Sequence, residues 1–89
     1  MIQQEKEIIN KLGLHARSAA KLLEVAKQFS SSIKIQYNDK SCDAKSILGL
    51  MTLAASYGAT ITITAEGNDE AQAVTAISEL IDDYFDEGE

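Results

Sequence analysis

The run Thr60-Ile61-Thr62-Ile63-Thr64-Ala65 alternates polar and small or apolar side chains without a break. Successive side chains of a β-strand point to opposite faces, so this run predicts a half-buried strand with one polar face. Ile33-Lys34-Ile35-Gln36-Tyr37 repeats the pattern. Asn38-Asp39-Lys40 then supplies turn chemistry for a hairpin whose second strand runs through about Cys42 to Ala44. Residues 2–9 alternate poorly, with Ile2, Ile8 and Ile9 at the ends of a polar stretch, and read as an edge strand. Such strands need cover on one face only.

Three segments with helical spacing can provide it. From Ala16, the residues Ala19, Leu22, Leu23, Ala26 and Phe29 recur at three and four, up to the serines at 30–32. A second helix is expected from Ile47 to about Tyr57, closed by Gly58, with Leu50, Leu53, Ala54 and Tyr57 as its core stripe. The last carries Ala73, Val74, Ile77, Leu80, Ile81 and Tyr84, behind an Asp69/Gln72 pair at capping-box spacing, and ends in Asp82, Asp83, Asp86, Glu87 and Glu89. The order is β-α-β-β-α-β-α. It predicts an α/β protein of α+β type: an open-faced sandwich, four antiparallel strands with three helices on one face. With 89 residues there is room for one domain, 1–89, and one core.

Charge narrows the function. A net charge of −6 disfavours nucleic-acid binding, which needs Lys and Arg against phosphates. All eight basic residues lie in residues 1–45, which sum to +3, while residues 46–89 sum to −9. That asymmetry fits a steering surface for a charged partner, or simply an acidic, solubilising last helix. No apolar run is long enough to span a bilayer, and the polar start Met1-Ile2-Gln3-Gln4-Glu5 does not resemble a signal peptide. Cys42 is the single cysteine and His15 the single histidine, so neither a disulfide nor a metal site is expected. Cys42 itself reads as a small, semi-buried hairpin residue. The expected compartment is the cytoplasm.

His15 falls where a loop (Lys11 to Leu14, with Gly13 as turn residue) meets the first helix. A helix start leaves backbone N–H groups unpaired and carries partial positive charge, which stabilises an anion attached there. The same field favours a neutral, nucleophilic ring. Arg17 adds a guanidinium whose fork matches phosphate oxygens, and Lys11 and Lys21 add longer-range charge. Position alone favours an ordinary surface cap beside a solvated arginine.

The segment from Asn10 to Leu22, NKLGLHARSAAKL, resembles the active-site segment of the HPr family, histidine-containing phosphocarriers of the bacterial phosphoenolpyruvate-dependent phosphotransferase system. The segment from Lys45 to Ala55, KSILGLMTLAA, resembles that family's regulatory-serine region, and both the spacing and the element order fit. The resemblance implies that His15 accepts phosphate on Nδ1 from phosphorylated enzyme I, that Arg17 stabilises it, and that an enzyme IIA domain receives it. Such a protein is a carrier rather than an enzyme, needs no cofactor, and is expected to act as a monomer. Ser46 matches a serine that HPr kinase/phosphorylase phosphorylates in many members; by position it also serves as a plain helix cap. One departure stands out: the family usually has proline where this chain has Ser18. The hydroxyl either adds a hydrogen bond to the phosphate or loosens the first turn.

The second helix is more apolar than one buried face needs. Ile47, Leu48 and Met51 are left over, either as a partner-binding patch together with Lys21 and Lys45, or buried by the loop at 10–14. An HPr-like regulatory module in nitrogen or carbon control is the alternative function. A metabolite-sensing domain is more remote, since no glycine-rich binding loop supports it.

Overall fold

The computed structural model describes residues 1–86. Its elements are β1 (Ile2–Glu7), α1 (Ala16–Ala26), β2 (Ser32–Tyr37), β3 (Lys40–Asp43), α2 (Ile47–Thr52), β4 (Thr60–Glu66) and α3 (Glu70–Asp82). The sheet is antiparallel throughout, in the order β1-β4-β2-β3. This is the expected open-faced sandwich.

Register explains the alternation. Ile33 pairs with Ala65 and Ile35 with Ile63, which puts the apolar members of β2 and β4 on one buried face. Leu22, Leu50, Ile77 and Ile81 close over them from the helices. Lys34 and Thr64 pair on the opposite face. β1 lies at the edge and tolerates polar residues on its inner face because Lys6 reaches α3, where its ammonium meets the Asp82 carboxylate at 2.7 Å. The hairpin turn holds only Asn38 and Asp39, with Tyr37 paired to Lys40, so β3 starts earlier than expected. Asn38 takes the left-handed conformation that such a turn demands, at φ 56°.

The end of α2 departs most from the expectation. α2 is half as long, ending at Thr52 with Leu53 as cap. The chain after it is drawn away to pair with the loop following β1: Leu14 N–H donates to Ala55 O, Ile8 N–H to Ala59 O, and Gly58 N–H to Ile8 O, each at 2.8 Å. Ala54 therefore turns left-handed at φ 56° and is exposed, Tyr57 is 68 % exposed, and Ala55 and Ala59 enter the core instead. Gly58 ends no helix.

Asp69 precedes α3 but makes no side-chain cap. Its carboxylate turns to the α1–β2 junction, where it accepts from the N–H groups of Ser30 and Ser31, both at 2.9 Å, and from the Ser31 hydroxyl. At the other end of α3, Tyr84 is largely exposed and Phe85 is fully buried. Residues 84–86 all take positive φ, a left-handed turn that swings Phe85 back into the core. Glu87 and Glu89 of the expected acidic tail lie outside the described residues.

Candidate functional site

Gly13 makes the approach to α1 possible. Its φ is +70°, and a Cβ there would come within 2.7 Å of the Ser56 backbone. The Asn10–Gly13 turn is closed by Gly13 N–H donating to Asn10 O at 3.1 Å, and Leu14 is tied to Ala55. The chain then enters α1 with His15 as its N-cap, extended at φ −115° and ψ −174°.

The half-buried ring folds over the first turn. Arg17 N–H donates to Nδ1 at 3.3 Å, and the backbone N–H of Ser18 also points to the ring. A nitrogen that accepts carries no proton, so this geometry selects the tautomer with its hydrogen on Nε2. Nδ1 thus faces the amides of the first turn, which would surround a group attached to it.

Ser18 is held within the first turn and the loop before it. It is fully buried, and its hydroxyl accepts from His15 N–H at 2.8 Å. The hydroxyl's own proton lies between the carbonyls of Gly13, at 3.0 Å, and His15, at 3.1 Å. Serine tightens the turn through a reciprocal capping box with His15. The sequence signal was a hydroxyl three residues after a capping side chain, in reverse order from the usual box. Asn10, also fully buried, gave no signal as a site residue.

Arg17 is exposed on the next face of α1 and shares a shallow groove with Lys21, Glu24 and Asp86. Two further basic side chains reach backbone carbonyls. Lys21 donates to Asp86 O at 3.2 Å, while Lys45 donates to Phe29 O at 2.9 Å and Ser31 O at 3.3 Å, at the far end of α1. Ser46 caps α2, its hydroxyl accepting from Gly49 N–H at 3.1 Å. Ile47, Leu48 and Met51 are 42 %, 74 % and 44 % exposed, so the 10–14 loop does not cover them. α2 packs beside α1, and its trailing segment is bonded to the residue before His15. Cys42 is half-buried under α2, and burial raises its thiol pKa, helped by neighbouring Asp43. Among the described residues no cluster suits a metal ion, and no helix is long and apolar enough to cross a membrane.

An antiparallel open-faced sandwich that offers one histidine at a helix mouth matches a known class of solved structures. HPr from Thermoanaerobacter tengcongensis superposes with a TM-score of 0.94 at 44 % identity over 98 % of both chains, and another structure of that organism's protein is of an HPr dimer. The family model for the PTS HPr component phosphorylation site matches residues 2–83. Phosphocarrier proteins HPr of Neisseria meningitidis serogroup B and Cupriavidus necator are each 49 % identical over the full length of both chains. The chain belongs to the HPr family of phosphocarriers.

Proposed function

We propose that this phosphocarrier works by taking a phosphoryl group from phosphorylated enzyme I onto His15 Nδ1 and passing it to an enzyme IIA domain. The observation that carries this is the Arg17 N–H pointing at Nδ1 from the open end of α1. In the transfer, the Nδ1 lone pair attacks phosphorus in line as the donor's P–N bond breaks and that electron pair returns to the donor ring. The proton on Nε2 stays in place, and the donor ring, protonated on its other nitrogen, leaves as a neutral imidazole. Both bonds are phosphoramidates, so little driving force is needed. What this chain contributes is position and charge: the first-turn amides receive the phosphoryl oxygens, and Arg17, exposed and long, reaches them.

Docking rests on the exposed face of α2, with Ile47, Leu48 and Met51 as apolar contacts beside the His15 loop. Lys21 and Lys45 serve it as a surrounding positive field rather than as direct contacts, since their ammonium groups are held by backbone carbonyls. Phosphorylation of Ser46 by HPr kinase/phosphorylase would add a dianion at the edge of this face, weakening enzyme I binding by charge while the helix start tolerates it. The carrier is proposed to act as a monomer and a single domain, 1–89, in the cytoplasm, as a substrate of phosphotransferases and not an enzyme itself. Incubation with enzyme I and labelled phosphoenolpyruvate tests the assignment. Acid-labile, base-stable label that disappears in His15→Ala is expected, and label that persists in that variant overturns it.

A further inference from the structure

Two fully buried polar side chains meet at one backbone carbonyl just before His15. Gly13 O accepts from Asn10 Nδ2 at 2.8 Å and from Ser18 Oγ at 3.0 Å, while Ser18 Oγ accepts from His15 N–H at 2.8 Å. Two backbone bonds hold the same stretch: Gly13 N–H donates to Asn10 O and Leu14 N–H to Ala55 O. Building this clamp carries a cost. Asn10 Oδ1 is buried with no partner among the described residues, which leaves its desolvation uncompensated. An apolar side chain would avoid that penalty. What only the amide supplies is the donor to Gly13.

We propose that Ser18 and Asn10 are positioning residues for His15, their clamp on the Gly13 carbonyl and the His15 amide delivering the ring to α1 with Nδ1 as acceptor. The inference rests on His15 as the phosphoryl acceptor. The N-cap backbone sets where Cβ lies, and so whether Nδ1 or a rotated ring edge meets the amides of Arg17 and Ser18. Proline at position 18 would restrict its own φ but offer no acceptor to the His15 N–H. The hydroxyl holds that N–H directly. Its effect reaches the reaction through geometry, since Ser18 Oγ is buried and faces away from the ring's solvent side.

The test uses the full chain with Ser18→Ala, and Asn10→Ala as a second variant, in two measurements. Ring ¹⁵N shifts of labelled histidine read the tautomer in the free protein. Steady-state transfer from phosphorylated enzyme I separates kcat from KM. Loss of the clamp is expected to move ring signals toward the Nδ1–H form in both variants. It should also lower kcat about tenfold, in keeping with the sensitivity of transfer to small misplacements, with KM unchanged. Any other combination in Ser18→Ala overturns the proposal: wild-type ring signals with slower transfer, wild-type kcat, or a loss confined to KM. Failure of the acceptor assignment is visible separately, as wild-type protein that takes no label, and it takes this proposal with it.

Discussion

The site depends on a few atoms around one turn. In the proposed transfer Arg17 meets charge on the phosphoryl oxygens, and it is exposed enough to be removed without disturbing the core. Arg17→Ala is expected to slow transfer about 10–100-fold in both directions, with an unchanged melting temperature; rapid-quench transfer assays beside thermal melts check both halves. Asp69 is the strongest electrostatic feature away from the site. Hydrogen bonds from the Ser31 hydroxyl and the Ser30 N–H lower its pKa to about 2. Because the folded value lies below the unfolded one, the stabilisation is complete above roughly pH 4 and fades as pH falls toward the folded value. Asp69→Asn puts a donor among donors. Urea midpoints of the two proteins should differ by a constant amount at neutral pH and converge below pH 4. His15 and Arg17 stood out by type and position, but position alone also fitted a surface cap, and only the resemblance of the segment from Asn10 to Leu22 gave them a role. Ser18 was legible only as a departure, because the direction of a hydroxyl depends on loop backbone that Gly13 and Asn10 shape from outside the helix.

At the scale of elements, strands were easier to read than helix ends. β2 and β4 follow from strict alternation, because one face is buried and the other wet. The end of α2 could not be read from its own residues. Apolar periodicity continues to Tyr57, but the hydrogen bonds that stop the helix come from Ile8 and Leu14, more than forty residues earlier in the chain. Likewise, Asp69 had the spacing of a cap but met stronger donors across the fold. Leu50 carries the core contact of the short α2, while Ile47, Leu48 and Met51 stay exposed beside it. Ile47→Ser with Met51→Ser should therefore change folding free energy by no more than about 0.5 kcal/mol per site. Enzyme I binding should weaken roughly 5–30-fold, as expected when apolar interface anchors are lost. Calorimetric titration and urea melts of the double variant measure the two effects separately.

The molecule as a whole separates a stable body from a chemical edge. One sheet face and three helices share a single cluster of buried side chains, and the half-buried histidine stands at its rim, with the residue before it tied inward by a backbone bond. The left-handed turn at 84–86 closes this body by inserting Phe85, which the sequence pattern had assigned to its neighbour Tyr84, since helical spacing cannot foresee a reversal of backbone hand. Phe85→Ala is expected to cost about 3–5 kcal/mol in urea unfolding. The most direct measurement is ¹⁵N–¹H correlation of ring-labelled protein before and after phosphorylation by enzyme I. Phosphorus coupling and the larger shift at Nδ1, together with shifts of the Ala16 and Arg17 amides, are the expected result. Phosphorylation at Nε2, or an unmodified ring in a labelled protein, would contradict a phosphoryl group held at the mouth of α1.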